Sequence, residues 1–134
     1  MSALIEGFKK EHSDIVDALQ EVKELGILTK EGQAKLMSVK TSLLEHLKEE
    51  DEKFYPVLRK EAAQNKKLKE ELDIFAKDFE SVSKVVLEFF DRFEKGVLGT
   101  RLLWDFETLI MVLRNRIMNE EIFLYGEYEN LNKL

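Results

Sequence analysis

At 134 residues and a net charge of −6, the chain has the size of one domain and the wrong sign for gripping nucleic acid or an anionic membrane surface. It has no cysteine, which removes disulfides, thiolate metal sites and thiol catalysis together; any metal must be held by His, Glu, Asp or Tyr. The longest apolar run, Leu109 to Leu113, is far too short to span a bilayer, and no basic-then-apolar stretch opens the chain, so the expected location is the cytoplasm.

Six glycines and a single proline leave few places to turn, and the sequence reads as a few long helices. The first covers 3–25, with an apolar stripe of Leu4, Phe8, Ile15, Leu19 and Val22 at spacings of three and four. Gly26 ends it, and Thr29 is placed to cap the second, 30–62, whose stripe is Leu36, Val39, Leu43, Leu47, Phe54 and Val57. Pro56 lies inside that helix and is expected to kink or break it. After the polar break Ala63-Gln64-Asn65, the third helix, 66–95, carries Leu72, Phe75, Phe79, Val82, Val86 and Phe89. The break at 96–100 offers Thr100 as a cap for the fourth, 100–130, with Phe106, Leu109, Leu113, Ile117 and Phe123.

No useful length alternates with period two, so no sheet is expected. The chain also repeats itself. Leu43 to Glu50 aligns with Leu113 to Glu120, Tyr55 with Tyr125, and Phe8 to His12 with Phe75 to Phe79. The expectation is one all-α domain over 1–134, an antiparallel up-down four-helix bundle built from two similar helix hairpins.

Five polar residues interrupt the stripes. His12 falls between Phe8 and Ile15; His46 and Glu50 are bracketed by Leu43 and Phe54, and Arg116 and Glu120 by Leu113 and Phe123. Members of each pair are four apart, hence on one helix face. Buried charges must satisfy one another or bind something. Two histidines and two carboxylates converging from three helices suit one divalent first-row metal. The bland alternative is a hydrogen-bonded cluster without metal. Tyr55 and Tyr125 read as core residues whose hydroxyls reach the buried carboxylates, while Glu49, Asp51, Glu52 and Glu121 read as solvated surface.

Glu11-His12 with Ile15, then His46-Leu47-Lys48-Glu49-Glu50-Asp51-Glu52-Lys53-Phe54-Tyr55-Pro56, then Asn119-Glu120-Glu121-Ile122-Phe123-Leu124-Tyr125, together resemble the hemerythrin-like (HHE cation-binding) family over nearly the whole chain. The resemblance implies non-haem iron at the bundle centre, and dioxygen, iron-sensing or nitric-oxide-related roles. It implies that His12 and His46 ligate one metal and that Glu50 and Glu120 are the bridging carboxylates. The histidines of the family's second metal fall at Phe79 and Arg116, and a further one at Ser83. A phenyl ring cannot ligate and a guanidinium stays protonated, so at most one metal is expected. Arg116 is expected to hydrogen-bond Glu50 or Glu120 directly and stand in for the second cation.

Two other functions compete. A histidine phosphotransfer bundle would use His46, but acidic Glu45, Glu49 and Glu50 repel phosphate. A metal-free scaffold would show a partner surface, marked by Trp104 if that side chain lies outside the core. No Ser–His–acid triad can be read from two histidines set among core carboxylates, so a hydrolase is not expected.

Overall fold

The computed structural model describes residues 2–131. Helix α1 spans Ala3–Leu25, α2 Lys30–Glu49, α3 Tyr55–Ala62, α4 Lys66–Glu94, α5 Thr100–Asn119 and α6 Tyr125–Leu131. A π-helical turn, Glu50–Phe54 (π1), joins α2 to α3, and another, Glu120–Leu124 (π2), joins α5 to α6. Each trio is one continuous rod, so four rods make an all-α bundle, and no strand occurs among the described residues.

Side chains cap the rods where the sequence changes character. Ser2 Oγ accepts from Ile5 N–H at 3.3 Å, Thr29 Oγ1 from Gly32 N–H at 3.0 Å, and Asn65 Oδ1 from Leu68 N–H at 3.1 Å. The fourth rod differs from expectation. Gly99, at φ 72°, holds the cap position and Thr100 is already the first helical residue. A left-handed φ is strained for an L side chain, so the glycine takes the turn.

Short loops pair α1 with α2 and α4 with α5 into hairpins, which meet chiefly through α3 against α4 and α1 against α5. Two apolar clusters result. One runs from Ile15, Leu19 and Leu43 to Val86, Phe106 and Leu113; the other gathers Ile5, Phe8, Phe54, Leu58, Phe79, Leu124 and Tyr125. Each rod passes from one cluster to the other at mid-length, and that crossing layer carries the five interior polar residues.

The π-turns correct the expected stripes. In each, a tyrosine N–H reaches five residues back, Tyr55 to the Glu50 carbonyl and Tyr125 to the Glu120 carbonyl. The wider turn slips the buried face by one residue. Val57 and Phe123 are therefore exposed, and Leu58 and Leu124 fill the core in their place. Pro56 does not break its helix; it sits in the first turn of α3, where a missing N–H is tolerated. Nor does it cause the π-turn, because the same turn forms ahead of Gly126.

Gly32 is the tightest backbone position. A Cβ there would lie 1.9 Å from the Gly26 carbonyl oxygen, which a rigid turn cannot move aside. Gly32→Ala is expected to cost roughly 1–3 kcal/mol, the range for overpacking. Gly7→Ala, with nothing within 4 Å of its Cβ position, should stabilise by roughly 0.5–1 kcal/mol. Urea denaturation of both variants checks the pair; equal midpoints would contradict the packing account.

Candidate metal centre

His12 on α1, His46 on α2, Glu50 on π1, and Arg116 and Glu120 at the α5–π2 junction are all buried. One ligand atom from each of His12, His46, Glu50 and Glu120 falls within a group whose members lie within 4.8 Å of one another. His46 Nε2 stands 2.8 Å from Glu50 Oε1, and His12 Nε2 stands 3.3 Å from Glu120 Oε1. The two imidazole rings meet edge to face with centroids 4.6 Å apart.

The outer ring nitrogens explain why the rings face inward. His12 Nδ1 is 2.8 Å from Glu121 Oε2, and His46 Nδ1 is 2.9 Å from Glu11 Oε1. With a carboxylate on each Nδ1, a ring that gives Nε2 to a metal keeps its remaining proton on Nδ1, the arrangement typical of metal-binding histidines. Sequence reasoning missed both acids: Glu121 is half-buried on His12 rather than solvated, and Glu11 reaches across to the neighbouring helix. The only signal was adjacency, since each precedes or follows a core residue of its own helix.

The tyrosines cross between hairpins. Tyr55 of the first donates to Glu120 Oε2 of the second at 2.5 Å, and Tyr125 of the second donates to Glu50 Oε2 of the first at 3.0 Å. Tyr125 Oη also lies 3.1 Å from His12 Nε2. Burial and the adjacent carboxylates raise both phenols far above their ordinary range, so each remains a donor.

Arg116 departs from expectation. Its Nε is 3.6 Å from Glu120 Oε2 and its Nη2 4.0 Å from Glu50 Oε1, ion-pair rather than hydrogen-bond distances, and Nε has no hydrogen-bond partner. Glu120 Oε2 takes Tyr55, and Glu120 Oε1 faces His12. The guanidinium instead stacks on Phe79, 4.6 Å from the ring centroid. The positions where the resemblance places the histidines of a second metal thus carry a cation and an aromatic ring packed together.

Electrostatics separate the two carboxylates. Burial, with the neighbouring Glu120 charge, pushes Glu50 up to about 7 against the opposing pull of His46. Glu120 is buried too, but hydrogen bonds from His12 and Tyr55 and the charge of Arg116 hold it down to about 2. Burial opposes charging His46, yet Glu50, Glu11 and Glu120 outweigh it and lift the imidazole to about 9.

A buried centre of two histidines and two carboxylates drawn from three rods of a four-rod bundle, their outer faces held by acids and tyrosines, is that of a helical-bundle cation-binding protein. The hemerythrin HHE cation binding domain family matches residues 3–126, and the chain belongs to it. No curated protein and no solved structure matches the chain.

Without metal, these shifts fix the pH dependence of stability. The protonated forms of Glu50 and His46 are favoured by folding, so their contributions are complete at low pH and vanish as pH rises through about 7 and about 9. The contribution of Glu120 is complete above its ordinary range and vanishes as pH falls toward about 2. The chelator-treated protein should therefore melt highest at about pH 4.5 to 5, decline through neutrality and lose several degrees by pH 9. Thermal melts across that range test it, and Glu50→Gln should flatten the step near neutrality.

Proposed function

We propose that the chain binds one divalent metal ion, iron by family membership, through His12, His46, Glu50 and Glu120, in a sensing or storage role. Convergence of orphaned donors carries the reading. His46 Nε2 and Glu50 Oε1 are buried and face each other at 2.8 Å without hydrogen-bond geometry, the contact left by two ligands of one cation. Ligands at about 2.0–2.2 Å from one ion stand at most about 4.4 Å apart, so a spread of 4.8 Å needs only small side-chain adjustments. When bound, the ion would supply Lewis acidity and, as iron, redox chemistry. Glu11 and Glu121 orient the imidazoles, and Tyr55 and Tyr125 hold the carboxylates. A histidine phosphotransfer role is poorly supported, because His46 is 4% exposed and closed off from a partner.

Metal analysis of protein reconstituted with ferrous iron should give close to one ion per chain, and Glu50→Gln or His46→Ala should abolish it. Affinity should rise with pH as His46 and Glu50 give up protons. The double variant Phe79→His, Arg116→His restores a ligand type at both lost positions and should raise the count toward two, with new near-ultraviolet absorption. A count near two in the parent chain would sink the mononuclear reading.

A second reading, a scaffold role, is favoured by the outward face of α5 and π2. Trp104 is 70% exposed, and Met111, Met118 and Ile122 are exposed along the same rod. With Thr108 and Asn115 they fall at alternating spacings of four and three, the seam of a two-helix coiled coil, with Asn115 as its polar register mark. The occupant proposed is a second copy of the chain. Light scattering should show a dimer that Trp104→Glu converts to monomer; a monomeric parent at high concentration would remove this reading.

A further inference from the structure

On the far side of Arg116 from the histidines, α3 and α4 part to leave a cavity of about 460 Å³. That falls within the usual range for small-molecule sites, roughly 300–1,000 Å³. Its waist is apolar, lined by Leu72, Phe75, Ala76 and Phe79, and Ser83 adds a hydroxyl. Five charged side chains stand at the rim: Asp51, Asp73 and Glu80 against Arg59 and Lys69, all exposed and close to balance. The charge that decides is the buried one.

Arg116 lines this cavity and is 5% exposed. A guanidinium has five N–H donors and no acceptor. Neither neighbouring carboxylate comes within hydrogen-bond distance of it. Glu120 serves Tyr55 and faces His12; Glu50 takes Tyr125 and faces His46. Arg116 touches them only at 3.6 and 4.0 Å, through Nε and Nη2, and Nε is left without a hydrogen bond. A buried guanidinium so under-used, at the end of an aromatic-walled cavity, lacks an anion. Leaving a buried donor unmatched is costly, and a ligand that satisfied it would recover that cost.

We propose that this cavity binds a small organic acid, its carboxylate hydrogen-bonded by Arg116 and its apolar body held between Leu72, Phe75 and Phe79. Arg116 anchors the planar carboxylate through guanidinium N–H groups that Glu50 and Glu120 leave without a hydrogen bond. The ring of Phe79, already 4.6 Å beneath the guanidinium, fixes the arginine in place. A neutral molecule of the same shape gains the apolar contacts and leaves the guanidinium unmatched. An inorganic anion gains the charge and leaves the apolar waist empty. The site thus selects for both features in one molecule.

The probe is 3-phenylpropionate, set against 3-phenyl-1-propanol and inorganic phosphate. Isothermal titration calorimetry on chelator-treated protein keeps the result independent of whether the histidine centre holds iron. The acid should bind at least ten-fold more tightly than the alcohol, and phosphate should give no measurable heat. Because Arg116→Gln could unfold the chain, the deciding variant is Ala76→Trp, which fills the cavity from its exposed wall far from the histidines. It should weaken the acid at least ten-fold while melting temperature and iron stoichiometry stay as in the parent. Equal binding of acid and alcohol, unchanged binding by Ala76→Trp, or no binding of the acid would each overturn the proposal. None of those outcomes bears on the metal reading.

Discussion

Two carboxylates buried in the middle of a helical bundle are what the rest of this structure answers to. Glu50 and Glu120 are at most 1% exposed, lying between two apolar clusters and screened from bulk solvent. Desolvating a carboxylate costs several kcal/mol unless it is paired and hydrogen-bonded. Each therefore receives a tyrosine hydroxyl from the opposite hairpin, a histidine beside it, and the shared charge of Arg116. The two hairpins are tied together through these cross-donated hydrogen bonds as much as through apolar contact.

The π-turns are what make that tie possible. In an unbroken α-helix, the residue five beyond a glutamate swings well around from it. Widening the turn brings Tyr55 back to the face of Glu50, and Tyr125 to that of Glu120, so that glutamate and tyrosine both point inward. Such turns are rare and concentrate at functional sites. Their occurrence at matched places in both hairpins, once before Pro56 and once before Gly126, ties them to the glutamate–tyrosine arrangement rather than to a helix-breaking residue.

The near-symmetry stops at the cations. In one half, His12 and His46 turn ring nitrogens toward the centre that an exchangeable ion could use; in the other, Phe79 and Arg116 supply a fixed charge laid on an aromatic face. Glu120, nearer the fixed charge, stays ionised, while Glu50, pushed up by burial and by the charge of Glu120, takes up a proton close to neutrality. A permanent cation on one side and a replaceable proton or metal on the other is the chemical character of this centre.

By itself, the sequence determined the helical bundle, the two-hairpin repeat, the HHE family and the five interior polar residues. Helical periodicity states directly which residues share a buried face, and a polar residue on that face is conspicuous. Four features were decided only by the tertiary structure. The π-turns moved burial from Val57 to Leu58 and from Phe123 to Leu124, because an extra residue in a turn is set by packing and leaves no mark in the apolar pattern. Glu11 and Glu121 look like surface acids until a histidine from another helix meets them. The tyrosines' choice of the opposite hairpin's glutamate depends on how two rods face each other. Arg116 lies on Phe79 at ion-pair distance from both carboxylates instead of forking to one of them. A one-dimensional pattern tells which way a side chain points from its own helix; only the assembled bundle decides what it meets there.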